Sequence, residues 1–343
     1  MLESLISQEI LESGPLSQSR FMELASQHPT YGYYRSQEAV GHDFTTSPEI
    51  SQVFGELIGA WAIDYYLKLK QPKAVSLIEL GPGKGTLMAD FLRIAKMSKS
   101  FFEAINVTLV EINPLLKEAQ LKTIPSPVTF VERLEDVPPS SSPLIIIANE
   151  FFDALPTNCY KRQDNVLYEK RVAIKDGRLV FTPVRLEENH GPDQIREESP
   201  TGVALTHEIC SRLLKQTGVF LCIDYGYEKG GGESLQALFG GKLSDPLLHV
   251  GKSDLTCHVN FGQLKEIALS RGLGVFGPLS QRQFLKTIGI ERRIEMLKRE
   301  NPSQKASLEV AATRLIHPQQ MGTLFKVMAI FSPLTIAPTG FEQ

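Results

Sequence analysis

The chain has 343 residues, of which 42% are hydrophobic and 22% charged, as is ordinary for a soluble globular protein with one large or two modest domains. Its formal net charge is −3, from 36 basic and 39 acidic residues, so no overall basic field indicates binding to nucleic acid. The one dense basic run, ERRIEMLKRE, alternates in sign and is typical of a solvated helix face.

The four cysteines are scattered without a C-x-x-C pair, and the seven histidines form no H-x-x-x-H pattern. We therefore expect a reducing compartment, no metal site and no disulfide framework. No apolar run reaches the roughly 18 residues that a membrane span needs. The N-terminal stretch MLESLISQEILES resembles neither a signal peptide nor a transit peptide. We expect a cytoplasmic protein, or a mitochondrial matrix protein whose presequence has been trimmed.

Residues 1–73 predict an N-terminal helical cover. Residues 1–25 have a helical pattern, an irregular aromatic segment follows, and a second helix begins at Ser47, which can cap it, with Pro48 in the first turn. The apolar residues of this helix have i, i+3, i+4 spacing, which predicts one buried face. They are Ile50, Val53, Phe54, Leu57, Ile58 and Trp61.

Residues 74–157 predict the first half of an α/β domain. The runs AVSLIEL, NVTLVEI, VTFVER and PLIIIAN have strand character, and helical segments separate the first three. Apolar strands that alternate with helices indicate a parallel sheet with both faces covered.

Residues 158–204 alternate apolar and polar side chains around Asp176-Gly177, a two-residue hairpin signal, and predict an antiparallel insertion. The alternation resumes over 205–335, with helices at 280–316 before a last strand, GTLFKVMAIFS. The expected fold is α/β, with a seven-stranded, mostly parallel Rossmann-like sheet, an N-terminal helical cover and an antiparallel hairpin insertion.

The glycine loop in ELGPGKGT, residues 79–86, could hold three kinds of ligand. A Walker-type phosphate loop needs a hydroxyl residue after the lysine, whereas Gly85 follows Lys84. A dinucleotide fingerprint needs a glycine where Thr86 stands. An acidic residue two positions before G-x-G-x-G fits S-adenosylmethionine, because a Cβ at these glycines would collide with the ligand.

Two acids at neighbouring strand ends complete the predicted donor site. Glu79 suits the ammonium end of the donor, and Glu111 suits the ribose hydroxyls. The alternative is that Glu79 caps a strand and Glu111 caps the next helix. Asp43, Thr45, Thr46, Ser47 and Glu49 precede an apolar helix and predict either a lid over the donor or a capped helix start. The expected cofactor-binding residues are Glu79, Gly81, Pro82, Gly83, Gly85, Thr86, Glu111, Thr46 and Ser47.

Five colinear stretches between about residues 5 and 330 give a family resemblance. They are DFTTSPEISQVFGELIGAW, ELGPGKGTLMADFLR, ANEFFDALP, DLTCHVNF and QMGTLFKV. Together they resemble the MidA family of class I S-adenosylmethionine-dependent methyltransferases. Members of that family often have an arginine at the position of Lys84. The resemblance implies a seven-stranded class I fold with an added substrate-facing region. It also implies symmetric dimethylation of arginine on a protein such as a respiratory complex I subunit, since mitochondrial members assist complex I assembly.

Asn149, Glu150 and Asp153 follow the fourth strand, on the edge of a parallel sheet where ligands bind. Because an arginine guanidinium is a poor nucleophile that carboxylates bind in fork geometry, we expect Glu150 and Asp153 to hold it. Asn149 would orient acceptor or donor, and His258 would accept a proton. The alternatives are a strand-exit turn with Asp153 as a helix cap, and a structural histidine.

Two other functions stay open on the sequence. The chain could be a non-catalytic assembly factor that holds S-adenosylmethionine as a structural ligand, or a methyltransferase of small molecules. The hairpin insertion favours a protein substrate, because it enlarges the rim of the site more than a small acceptor needs. Whether the chain forms a homodimer is also left open.

Overall fold

The computed structural model describes residues 1–35, 46–188 and 193–342. The chain divides into two compact units, each discontinuous in sequence. The first unit comprises Met1–Phe44, Phe152–Leu205 and Tyr227–Leu264, and the second comprises Thr45–Phe151, Thr206–Gly226 and Lys265–Gln343.

The helices of the described ranges are α1 (Leu2–Ser13), α2 (Gln18–Gln27), α3 (Ser47–Ile50), α4 (Gln52–Lys68), α5 (Thr86–Ala95), α6 (Lys99–Ala104), α7 (Pro114–Thr123), α8 (Pro200–Lys215), α9 (Phe261–Ser270), α10 (Gln281–Thr287), α11 (Ile290–Glu300) and α12 (Lys305–Ile316). The strands are β1 (Leu16–Ser17), β2 (Val75–Leu80), β3 (Ile105–Val110), β4 (Thr129–Val131), β5 (Leu144–Asn149), β6 (Asn158–Gln163), β7 (Val166–Lys175), β8 (Arg178–Glu188), β9 (Gln194–Glu198), β10 (Gly218–Tyr227), β11 (Gln236–Phe239), β12 (Lys242–Ser244), β13 (Asp254–Thr256), β14 (Val259–Asn260), β15 (Gly274–Ser280) and β16 (Phe325–Ser332).

The second unit contains the predicted sheet, with strands in the order β15-β16-β10-β5-β2-β3-β4. The pairs from β10 to β4 are parallel, whereas β16 is antiparallel to both β10 and β15. Every residue of β5 is buried, and its first five residues, LIIIA, are apolar on both faces, as a central parallel strand requires. The predicted mostly parallel α/β sheet is confirmed, with seven strands along this path and an eighth strand that was not predicted.

The helix predicted from Ser47 differs at its start. Thr46 takes the N-cap position of α3, and Pro48 lies in the first turn as expected. The chain then becomes extended at Ser51, whose hydroxyl accepts the Val53 N–H (3.3 Å) and so begins α4. The prediction that Ser47 caps the helix is therefore wrong, because the helix starts one residue earlier and is interrupted.

The first unit contains two antiparallel sheets, with strand orders β1-β7-β6-β9, β8 beside β7, and β12-β11-β13. The hairpin at Asp176-Gly177 is confirmed, with Lys175 paired to Arg178 and positive φ at both turn residues (52° and 73°). The sheet β11–β13 was not predicted. The helical pattern over 1–25 is interrupted at β1, and α1 and α2 bury Ile6, Phe21 and Met22 in a core with Val172.

Candidate active site

The glycine loop joins β2 to α5 in the second unit. Gly81, Gly83 and Gly85 all have positive φ, at 61°, 53° and 81°. A Cβ at Gly81 would lie 2.5 Å from the Phe151 ring, and one at Gly85 would meet Ile124 at 3.1 Å. A Cβ at Gly83 would meet nothing within 4 Å, so the centre of the loop presents bare backbone to open space.

Glu79 and Glu111 lie at the ends of neighbouring parallel strands. The Gly81 N–H donates to the carbonyl of Val110 (3.0 Å), which fixes the loop beside the residue that precedes Glu111. Glu79 is only 3% exposed, and its Oε2 has no hydrogen-bond partner within the described ranges. Burial and the Glu111 charge raise the pKa of Glu79 to about 8.

Glu111 is also buried, but both of its oxygens accept hydrogen bonds. Oε1 accepts the Asn113 N–H (2.7 Å), and Oε2 accepts from the side-chain amide of Gln120 (3.0 Å). Burial raises the pKa of Glu111, whereas these hydrogen bonds and Lys117 lower it. The carboxylate is therefore held in a fixed orientation beside the loop.

Gln120 is a site residue that the sequence analysis missed. Its side chain on α7 is fully buried, and Nε2 also donates to the carbonyl of Gly83 (2.6 Å). The available signal was its spacing of four from Leu116, which places a glutamine on the buried face of the helix.

Glu150 and Asn149 lie at the carboxyl end of β5. Glu150 has φ of +51°, a left-handed conformation that is unfavourable for a residue with a side chain. Its Oε1 accepts hydrogen bonds from the Ser47 N–H (2.8 Å) and from the Asn149 amide (3.1 Å). The Oδ1 of Asn149 is buried and has no hydrogen-bond partner among the residues that the structure describes.

Asp224, a second residue missed from the sequence, supports the turn after Glu150. It is fully buried near the end of β10, and its Oδ2 accepts the Phe151 N–H (3.2 Å) while Oδ1 accepts the Tyr225 N–H (2.9 Å). The same turn places the Phe151 ring against Gly81.

The predicted lid residues are described only in part. Thr46 and Ser47 lie at the start of α3, and Lys84 of the glycine loop forms an ion pair with Glu49 (3.1 Å). Asp43 and Thr45 lie outside the described residues.

Asp153 and His258, the other two predicted catalytic residues, belong to the first unit. Asp153 is buried, and its carbonyl accepts the Cys257 N–H (2.9 Å). His258 lines a recess with Phe152, and its backbone N–H donates to Ser234 Oγ (2.8 Å). Burial lowers the pKa of His258, so its imidazole is neutral at neutral pH.

The described ranges contain neither a candidate metal cluster nor a membrane-spanning helix. No three His, Cys, Asp or Glu side chains there come together as a metal site. No helix there is long and apolar enough to cross a membrane.

A family model described as "Putative S-adenosyl-L-methionine-dependent methyltransferase" matches residues 57–279. The chain belongs to this methyltransferase family. A mitochondrial protein arginine methyltransferase NDUFAF7 from Danio rerio is 31% identical, with 97% of this chain and 87% of the relative covered. The protein of that name from Mus musculus is 32% identical, with 94% and 82% covered. The predicted resemblance and the predicted methyltransferase activity are confirmed.

A solved structure from Burkholderia thailandensis, bound to S-adenosyl-homocysteine, has the same fold. It superposes with a TM-score of 0.82 at 22% identity, covering 100% of this chain and 92% of that one. The class I methyltransferase fold expected from the sequence is confirmed by this likeness.

The second unit of this methyltransferase fits the S-adenosylmethionine that its family uses. The open space at Gly83 leaves room for a ligand against the backbone, and Glu79 Oε2 lacks a hydrogen-bond partner within the described ranges. Two buried acidic side chains, Glu79 and Glu111, suit a ligand that brings positive charge and hydroxyl donors.

Proposed function

We propose that this methyltransferase transfers the methyl group of S-adenosylmethionine to an arginine guanidinium in a protein substrate. The observation that best supports this proposal is the position of the Glu150 carboxylate. It lies at the end of the central strand, where Ser47 and Asn149 donate hydrogen bonds to it. The relatives named protein arginine methyltransferase, at 31% and 32% identity over nearly the whole chain, support the same substrate class.

The donor would be held by the glycine loop and its flanking acids. In this proposal, the backbone of Gly81, Pro82, Gly83 and Gly85 packs against the donor, with Thr86 at the start of α5. Glu79 would face the ammonium group, and Glu111 would accept hydrogen bonds from the ribose hydroxyls. Thr46 and Ser47 would reach the donor carboxylate.

The acceptor would be held by Glu150. Its left-handed backbone and the two donors on Oε1 limit the directions that the carboxylate can take. A carboxylate fixed in this way can pair with a guanidinium and orient one nitrogen for attack. We propose Asp153 as a second carboxylate on the guanidinium and Asn149 as an orienting amide.

When bound, S-adenosylmethionine supplies a methyl group on a sulfonium, which a guanidinium nitrogen takes by in-line displacement. The chain's own task is to align the nitrogen and to exclude water. The attacking nitrogen must lose a proton, and the neutral imidazole of His258 has the protonation state that an acceptor needs.

Several finer assignments belong to the same proposal. We propose the first unit, with its hairpin, as the substrate-facing region. The names of the relatives support a mitochondrial compartment, and a respiratory complex I subunit with symmetric dimethylation is the substrate that the family resemblance suggests. Homodimer formation is testable by light scattering, and binding to nucleic acid, which we do not expect, by gel shift.

The test combines labelled S-adenosylmethionine with lysate of the host and identifies the labelled protein and residue by mass spectrometry. We expect label on arginine with the wild type, a loss of at least a hundredfold with Glu150→Gln, and no change with Glu118→Gln, an exposed carboxylate of the same unit. Label on a small molecule or on another residue type would contradict the proposal. The inactive Glu150→Gln variant can also be added back to host cells that lack the protein. Full rescue of complex I assembly there would favour a non-catalytic binding role instead.

A further inference from the structure

The side chain of Gln120 connects the two halves of the proposed donor site. Its Nε2 lies 2.6 Å from the carbonyl oxygen of Gly83, at the centre of the glycine loop, and 3.0 Å from Oε2 of Glu111. An amide nitrogen has two hydrogens, so both are used, one on each element.

The orientation of this amide follows from its partners. A carbonyl oxygen and a carboxylate oxygen both accept hydrogen bonds, and only the nitrogen of Gln120 can donate to them. A flipped amide would place Oε1 against two acceptors in a buried position, which is strongly unfavourable. Oε1 is buried and accepts no hydrogen bond within the described ranges. The glutamine therefore suits this position because its amide nitrogen donates to both acceptors, and not only because its volume fits.

The location of Gln120 limits how the loop can move. Its Cγ would lie 3.3 Å from a Cβ at Gly85, so the side chain also packs under the end of the loop. Gly83 itself meets no protein atom on its open side. The hydrogen bond from Gln120 is thus a direct contact that holds the loop carbonyl at a fixed distance from Glu111.

Gln120 also acts on the protonation of Glu111. The charged and titratable groups that bear on this carboxylate are Glu79 on β2 and Lys117 on α7. The hydrogen bond from Gln120 lowers the pKa of Glu111 against the effect of burial. Loss of that bond would leave more of the carboxyl protonated at low pH, and a protonated carboxyl accepts less well from a diol.

We propose that Gln120 is a positioning residue, which sets the spacing between the Gly83 carbonyl and the Glu111 carboxylate and so holds the site in the form that binds the nucleoside of the donor. This inference rests on the donor residues assigned under the proposed function and not on the identity of the methyl acceptor.

The test compares Gln120→Met, which keeps the volume and removes both hydrogen bonds, with Gln281→Met. Gln281 is a matched control in the same unit, because it is also fully buried and its Nε2 donates to the carbonyl of Leu315 (2.9 Å). Calorimetry gives the Kd of S-adenosyl-homocysteine at pH 8 and pH 6 for each full-length variant, and urea unfolding gives stability without ligand. At each pH the Kd of the variant is divided by that of the wild type, because protonation of the ligand itself affects both values equally.

We expect both variants to lose similar stability, while only Gln120→Met loses affinity, by about tenfold at pH 8 and by a larger factor at pH 6. Gln120→Glu, which places a third carboxylate beside two others, should weaken binding further. Unchanged affinity in Gln120→Met, or an equal loss of affinity in Gln281→Met, would overturn the inference. A chain that binds S-adenosyl-homocysteine but methylates no arginine would overturn the proposed acceptor instead.

Discussion

The backbone N–H of Ser47 donates a hydrogen bond of 2.8 Å to Oε1 of Glu150, although 103 residues separate them in the chain. Ser47 begins α3, and the same short helix carries Glu49, which pairs with Lys84 of the glycine loop (3.1 Å). Glu150, which we propose to bind the methyl acceptor, therefore also anchors α3 beside the glycine loop. Charge and anchoring can be separated by substitution.

Glu150→Gln keeps an oxygen that can accept from Ser47, whereas Glu150→Ala removes it. We expect Glu150→Gln to unfold within about 0.5 kcal/mol of the wild type and Glu150→Ala to lose about 1–2 kcal/mol, because a buried N–H loses its partner. Urea unfolding measures both values. Both variants should lose methyl transfer, and an active Glu150→Gln would show that the charge is not needed.

Gly83→Ala should weaken donor binding at least tenfold without unfolding the protein. Its φ of +53° makes any side chain unfavourable by about 1 kcal/mol, but the added Cβ meets no protein atom within 4 Å. Gly272→Ala is the control, since Gly272 has φ of +78° and the same open surroundings after α9. We expect similar losses of stability, with a fall in affinity of at least tenfold for Gly83→Ala alone. Calorimetry with S-adenosyl-homocysteine measures the affinity. Wild-type affinity in Gly83→Ala would contradict the assignment of the glycine loop to the donor.

Glu79 should make the ligand-free protein less stable as pH rises. Its folded pKa of about 8 lies above the ordinary value of 4.5, so between these values the folded state binds more protons than the unfolded state. The free energy of unfolding then falls with increasing pH, by on the order of 1 kcal/mol per unit from pH 5 to 8. Relative to Glu79→Gln, the wild type should lose several kcal/mol over that range in urea unfolding. Parallel pH profiles for the two proteins would show that Glu79 ionises normally.

Glu56 of α4 is 2% exposed and depends on Arg293 of α11, whose Nε and Nη2 lie 2.7 and 3.2 Å from its carboxylate. Arg293→Met leaves a buried carboxylate that keeps Arg93 and the side-chain amide of Gln52, each at 3.4 Å, so we expect a loss of about 2–4 kcal/mol. Arg292→Met, next to it and exposed, should change stability by less than about 0.5 kcal/mol. Addition of Glu56→Gln should recover part of the loss. Equal stabilities of the two arginine variants would refute this account of the pair.

The glycine loop and the two acids could be predicted because their signals are local. The strand β2, the three glycines and the helix α5 follow one another within 21 residues, Val75–Ala95, and Glu111 directly follows the next strand. Glycine permits positive φ without a steric penalty, so a cluster of glycines is a local signal for such a loop. Asp176-Gly177 could be predicted for the same reason.

Gln120 and Asp224 could not be assigned a role in this way, because their partners are distant in sequence. Gln120 contacts a carbonyl 37 residues away, and Asp224 accepts from an N–H 73 residues away. The break between α3 and α4 at Ser51 could not be predicted, because the helical spacing of apolar residues continues through it. The strands β11–β13 have only three or four residues, too few to show alternation of apolar and polar side chains.

The central claim is that the donor nucleoside lies against the loop Gly81–Gly85 between two carboxylates. A crystal structure of this chain with S-adenosyl-homocysteine tests it most directly. We expect the ribose hydroxyls within hydrogen-bond distance of Glu111, the amino group on the Glu79 side, and no protein atom between the ligand and Gly83. A ligand bound elsewhere, or one whose ribose contacts neither acid, would contradict the account.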